Sequence, residues 1–309
     1  MSYSAVAPST SRVKRAAQRR ARGKHHALGF VVPQLALLLL FVFWPLSRIV
    51  FYSFTQYDGF SDPEIVGLAN FEFLANWQDF HRVLLNNALL IGGLLVWVTV
   101  PFLLAIAIFP MPGAAVVRAV LFIPAMLPPI IAGGVFRIVL ADTGPVNSTL
   151  NAIGLGALAP GWFTDPNFVL VTVVLVIGWA TMGSGILFFS TGIAAISPSY
   201  IEAALLDGAN RWQMIWHIYR PALRPITRFW ILLLTVTTVT GFFPWIYGLT
   251  QGGPGFASTT LDYAVYATLN QGSQLGRSAA IAVVSLVFVG LIVLIQVAMR
   301  RIRRAEEWS

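Results

Sequence analysis

The sequence predicts an all-α polytopic membrane protein with six transmembrane helices, and three observations carry that prediction. Hydrophobic residues make up 57% of the 309-residue chain and charged residues only 10%, whereas a soluble domain needs roughly a quarter of its residues charged to cover its surface. Several runs of about twenty residues carry no charge, the length that crosses a hydrocarbon core of about 30 Å at about 1.5 Å per residue. Lysine and arginine also gather in alternate connections between those runs, as the positive-inside rule expects of a multispanning chain.

Residues 1–27 form a polar arm with seven basic residues between Arg12 and Lys24, read as a cytosolic tail. The apolar run from Leu28 to Val50 is too long for a signal-peptide core and no A-x-A-like site follows, so it stays as a first span. Apolar runs place spans at about 28–52, 86–109, 115–140, 168–195, 226–248 and 278–299, within a membrane domain 28–300 followed by a tail 301–309. With the N-terminus inside, the inner segments are the tail, the turn at Met111 to Arg118, the region 197–225 with adjoining Arg228, and the C-terminal tail. These hold all of the 20 Lys and Arg residues except Arg48, Arg82, Arg137 and Arg277. Both termini are therefore expected in the cytosol. The outer segment 53–85 is too short for a catalytic domain, 141–167 reads as turns with a short interfacial helix, and Leu249 to Pro254 reads as a tight glycine-proline turn. Pro33, Pro45, Pro101, Pro124, Pro128, Pro129 and Pro244 fall inside spans, as bends that either ease packing or line a cavity.

Composition excludes several functions. Without cysteine there is no disulfide, thiolate metal site or cysteine nucleophile. No Gly-x-x-x-x-Gly-Lys-Ser/Thr loop occurs, so the chain does not hold ATP in the P-loop manner. The middles of the spans carry no ionisable residue, so nothing there senses an ion gradient and the driving force is expected from outside the bilayer. His25, His26, His81 and His217 lie in tails, loops or the 197–225 region without metal spacing, and no Ser/His/Asp set can be assembled. An enzyme is not expected. The net charge of +8 follows from the inner segments, so no nucleic-acid partner is expected either.

The region 197–225 is the longest internal segment with polar and basic residues at close intervals. Ser199 to Glu202 fits a capping box, Pro198 stiffens the entry, and Gly208 suits a left-handed C-cap, which predicts a helix of about two turns. A second short helix capped by Asn210 would follow, with Trp212, Ile215, Trp216 and Tyr219 on one apolar face packed against the inner ends of the spans. Pro221 is expected to end it and Pro225 to open the fifth span. The first helix, with small Ala203 and Ala204 beside Leu205 and Leu206, fits either a partner's groove or the membrane surface.

Glu202-Ala203-Ala204, Asp207-Gly208-Ala209, Ile218 and Pro221 resemble the EAA motif of binding-protein-dependent ABC importer permeases. The resemblance implies that Glu202, Ala203, Ala204, Leu205, Asp207 and Gly208 form a cytosolic coupling helix seated on an ATPase, between spans four and five. Gly67-Leu68 with Asn70 and Phe71, Arg118 to Pro124, and Leu249-Thr250 with Gly252-Gly253-Pro254 are similar to the sugar-importing branch typified by maltose and glycerol-phosphate permeases. Arg220 stands where leucine is usual and Ile215 where an aromatic is common. Membership would imply a bacterial inner-membrane protein working with a second homologous permease, an ATPase dimer and an extracytoplasmic substrate-binding protein. ATP and magnesium would sit on the ATPase, with no cofactor on this chain. The competing reading is a self-sufficient secondary carrier or channel for a small neutral solute.

For the solute path, Thr235, Thr237, Thr238, Thr240, Phe242, Phe243, Trp245 and Tyr247 crowd the outer half of the fifth span, with Asn86, Asn87 and Ser184 as further candidates. Hydroxyls can bond sugar hydroxyls and rings can stack on a sugar face. Equally, the threonines can bond their own helix and the aromatics can mark an interfacial belt. Few arginines approach this region, which favours a neutral sugar.

Overall fold

In the computed structural model, which describes residues 31–272 and 274–306, nearly every element is helical. Helix α1 (Val31–Ser53) leads into a two-residue ribbon, β1 (Thr55–Gln56) antiparallel to β2 (Glu64–Ile65), and then α2 (Ala69–Asn76). The long α3 (Gln78–Ile108) follows, then the pair α4 (Ala114–Met126) and α5 (Pro129–Val139), a short α6 (Pro145–Ala152) and α7 (Val169–Ala194). Helices α8 (Pro198–Leu206), α9 (Arg211–Thr240), α10 (Phe243–Leu249), α11 (Leu261–Asn270) and α12 (Leu275–Glu306) complete the described chain. Five helices are long and apolar enough to cross a membrane, six if α4 and α5 count as one span. The basic arm and the last three residues lie outside the described residues.

Two expected spans are corrected. The run 115–140 is not straight: α4 and α5 meet at 92°. Leu127 and Pro128 are both extended, because each precedes a proline whose ring disfavours the helical conformation before it. The run 226–248 is also divided, since α9 stops at Thr240 and α10 restarts at Phe243, with Pro244 in its first turn.

Pro221 does not end a helix either, nor does Pro225 begin one. Helix α9 runs through both without interruption from Arg211 to Thr240. A π turn over Ile215–Tyr219 makes this possible: the Arg220 amide bonds the Ile215 carbonyl, five residues back. The wider turn relieves the clash between the proline ring and the carbonyl four residues earlier. The same device precedes Pro45 in α1, where a π turn spans Leu39–Phe43 and the Trp44 amide reaches the Leu39 carbonyl.

Side-chain contacts give the helix directions. Trp97 Nε1 donates to the Val174 carbonyl (2.9 Å), Pro101 faces Gly185, and Phe102 meets Phe189 edge-on at 5.5 Å, so α3 and α7 run parallel. Trp230 touches Gly185 while Leu223 and Ile226 touch Gly192, so α9 returns antiparallel to both. The main core lies between these three helices, around Trp97, Ile177, Ile186, Phe189 and Leu223. Helix α3 starts beside the ribbon, and the ribbon holds the start of α12 through the Gly276 amide and the Tyr57 carbonyl (3.0 Å). Helix α8 therefore caps the opposite end of the bundle.

Candidate coupling helix and solute path

Helix α8 has no buried residue, and Leu206 at its tip is 89% exposed. Leu205 beside it is also exposed, at 60%, so two neighbouring leucines stand open at the end of a nine-residue helix. The helix is nonetheless well terminated. The Ala209 amide bonds the Ala204 carbonyl (2.9 Å) and the Gly208 amide the Leu205 carbonyl (3.1 Å), a Schellman motif with Gly208 at φ +78°. Its start differs from expectation: Ser197, not Ser199, is the N-cap residue, and no side-chain capping bond forms. Pro198 occupies the first helical position, which forces Ser197 into the extended conformation and moves the boundary back by two residues. Ser197 and Ser199 hydroxyls instead bond each other at 2.8 Å.

A full capping box opens α9. The Gln213 amide donates to Asn210 Oδ1 (2.9 Å) and the Asn210 amide to Gln213 Oε1 (2.7 Å). The expected stripe of Trp212, Ile215, Trp216 and Tyr219 is corrected: Trp212 and Trp216 are 67% and 52% exposed, while only Ile215 and Tyr219 are half-buried. The π turn shifts the helical phase beyond Ile215; Met214 before it is buried, Ile218 is half-buried, and Tyr219 and Leu223 pack with the main core. Arg220 acquires a role here. Its guanidinium lies 4.4 Å from the centre of the exposed Trp216 ring, a cation–π contact where a leucine would have offered only a hydrocarbon face.

The solute-path candidates divide into three groups. Phe242 and Trp245 are buried at 5% and 7% exposure, and Phe242 meets Trp97 at 5.5 Å, so both pack the core instead of lining a path. The break at Gly241 turns them inward. The hydroxyls of Thr235, Thr237, Thr238 and Thr240 bond carbonyls of their own helix, and Asn87 donates to the Val83 carbonyl one turn back (3.0 Å). Thr235 also accepts from Gln296 of α12 (2.9 Å), a tie between helices. Asn86 holds the loop after α10, donating to the carbonyls of Phe256 (2.8 Å) and Thr259 (2.9 Å). Phe243 and Tyr247 remain half-buried and converge with Tyr263 and Tyr266 of α11, the Phe243 and Tyr266 rings 4.9 Å apart.

Sequence reasoning missed Tyr263, Tyr266 and the residue that places them. The Asp262 carboxyl accepts from the Phe243 amide, the Tyr263 amide (2.9 Å) and the Thr260 hydroxyl. It thereby joins the first turn of α10 to the first turn of α11. The acid two residues after Thr260, ahead of an apolar run, is a helix-start signal that could have revealed it.

Two hollows open at the ribbon end of the bundle. The larger, about 630 Å³, is lined by Asp58, Asp62, Glu64, Asn70 and Arg277. Asn70 builds its floor by donating to the carbonyls of Ser53 (3.0 Å) and Thr55 (2.8 Å). Amides of Phe60 and Ser61 hold the Asp58 carboxyl down to about 2. The smaller, about 340 Å³, lies between Arg137, Asp142, Phe163, Thr250 and Pro254. Among the described residues no group of His, Asp or Glu could hold a metal ion.

A protein described as the probable ABC transporter permease protein YesP of Bacillus subtilis is 31% identical over 278 residues, covering 86% of this chain and 87% of that protein. The chain belongs to the ABC transporter permeases. The multiple sugar-binding transport system permease protein MsmF of Streptococcus mutans matches this permease at 26% identity over 289 residues, 92% of this chain and 98% of the relative. The fold of the permease superposes on a chain of the crystal structure of a bacterial alginate ABC transporter in complex with an alginate pentasaccharide-bound periplasmic protein. That match has a TM-score of 0.76 at 23% identity, over 92% of this chain and 97% of the other. No family model matches the sequence. With its apolar helices, this is a multi-pass membrane protein, an ABC transporter permease.

Proposed function

We propose that this permease is one of two pore subunits of an ATP-driven importer that carries a sugar into the cytoplasm by alternating access. The observation that carries the coupling role is α8: a short, terminated helix bearing Glu202, Ala203, Ala204 and Gly208 at the bundle end opposite the ribbon, with Ile201 and Ala204 half-buried and the rest of the helix exposed. Small alanines and an open leucine tip suit entry into a groove of an ATPase. Helix α9 transmits the push, because Asn210 and Gln213 lock its start beside α8 and its continuous run past two prolines reaches the core at Trp230. ATP and magnesium belong to the ATPase dimer, and this chain takes no cofactor.

The charge asymmetry supports a bacterial inner-membrane setting, with both termini and α8 in the cytosol. The ribbon end then faces outward, toward an extracytoplasmic binding protein that delivers the sugar. A homologous second permease completes the pore. The half-exposed rings of Phe243 and Tyr247, with Tyr263 and Tyr266, suit stacking on a sugar face without charge, so a neutral saccharide is the substrate proposed.

The test uses the assembled transporter. Glu202→Lys and Gly208→Pro variants should reach the membrane yet lose substrate-stimulated ATP turnover. Normal turnover in both, or solute uptake by this chain without an ATPase, would overturn the proposal.

A further inference from the structure

From Ala209 to Thr240 the sequence holds four arginines and no acidic residue, so α9 carries uncompensated positive charge. Its 30 residues extend about 45 Å, against a hydrocarbon core of about 30 Å, so roughly ten residues stand in the headgroup region or beyond it. Arg220, Arg224 and Arg228 repeat every four residues, which sets them along one side of the helix, and all three are exposed. Trp212 and Trp216 are exposed in the turns before them, and the Arg220 guanidinium carbon lies 4.4 Å from the centre of the Trp216 ring. Above the last arginine the exposed side turns apolar, with Phe229 and Leu233.

Such an order along the helix, indole, then guanidinium, then exposed hydrocarbon, follows the profile of a membrane leaflet. Tryptophan favours the headgroup level, and arginine stems can lie along apolar surface while their heads stay with phosphate. From this arrangement we infer that the face of α9 formed by Trp212, Trp216, Arg220, Arg224 and Arg228 is a binding site for anionic phospholipid of the leaflet that α8 adjoins. The cation–π contact holds the Arg220 guanidinium over the indole, so one cation is positioned before a phosphate arrives. Arg224 and Arg228, one and two turns further in, would flank the glycerophosphate.

Purified full-length permease in detergent, offered equal amounts of dioleoyl phosphatidylglycerol and dioleoyl phosphatidylcholine, provides the test by native mass spectrometry. The wild type should retain the anionic lipid in clear excess. Arg224→Gln and Arg228→Gln should each lower that excess roughly fivefold, the effect of one guanidinium near an anionic surface. Arg118→Gln, which lies off this face, should leave it unchanged, and Arg224→Lys with Arg228→Lys should retain most of it. Equal retention of the two lipids by the wild type, an unchanged excess in the glutamine variants, or an equal fall in Arg118→Gln would overturn the inference. So would glutamine variants that lose the ATPase subunit on co-purification while keeping their lipid preference, since the face would then belong to that partner. The measurement needs no ATP turnover, so its failure is separable from failure of the coupling proposal.

Discussion

Replacing Asp262 by alanine removes one carboxyl that serves two helix starts. In α10 it accepts the Phe243 amide at the first helical position, and in α11 it accepts the Tyr263 amide and the Thr260 hydroxyl. Losing a helix-start acceptor costs about 1 kcal/mol in typical proteins and up to about 2 where the site is buried. Two starts lost together give a destabilisation of about 2–4 kcal/mol. A change of 1 kcal/mol moves the midpoint by about 2–4 °C in chains of this order of size, so the loss corresponds to roughly 4–16 °C. Thermal unfolding of the detergent-solubilised permease, followed by size-exclusion recovery after heating, reads the shift. Asp262→Asn keeps one carbonyl acceptor and should recover about half of it. A midpoint for Asp262→Ala within 1 °C of wild type (about 0.3–0.5 kcal/mol) would refute the double-cap reasoning, and with it the account of how Phe243 and Tyr263 are brought together.

Helices α5 and α10 approach so closely that a Cβ on Gly248 would stand 2.7 Å from the Ile130 carbonyl, and one on Gly133 would stand 3.0 Å from the Gly248 backbone. Gly248→Leu should force the two apart at a cost of about 1–3 kcal/mol, visible as a lower unfolding midpoint. Gly134→Leu, beside open space, should leave the midpoint unchanged. At the ribbon end, the Asp58 carboxyl titrates at about 2, below its ordinary 3.8, because the Phe60 and Ser61 amides favour the charged form. A depressed value means that its contribution is complete above about pH 4 and disappears as pH falls through about 2. Protection of the Phe60 and Ser61 amides from hydrogen exchange, corrected for intrinsic rates, should stay level from pH 6 to pH 4 and then fall. Asp58→Asn should abolish that step.

How much was legible in the chain differs between its two main features. In the coupling region, Gly208 and Asn210 could be read directly, because a left-handed C-cap and a side-chain N-cap are local geometries that depend on few neighbours. Ser199 could not, because Pro198 one residue earlier took over the boundary. The tryptophan stripe failed for a related reason: a 3.6-residue period assumes an unbroken α-helix, and one π turn is enough to change which side of α9 meets the bundle. In the solute path, residue chemistry suggested Phe242 and Trp245 as readily as Phe243 and Tyr247. Only the orientation of α10 in the bundle separates the buried pair, three residues apart on one side, from the half-buried pair, four apart on another.

The sequence by itself determined that this chain carries helices apolar enough to cross a membrane, because transfer of a charge-free run into hydrocarbon is a sum over residues and does not depend on their partners. It also determined the ABC permease family, through a motif whose residues lie close together in the chain. Tertiary structure alone decided the passage of α9 through Pro221 and Pro225 and the meeting of Asp262 with Phe243. Each depends on whether a strained turn or an orphan amide finds relief in its surroundings. That relief comes from neighbours which hydropathy cannot see: a widened turn before a proline, a glycine under a facing carbonyl, a carboxyl nineteen residues away.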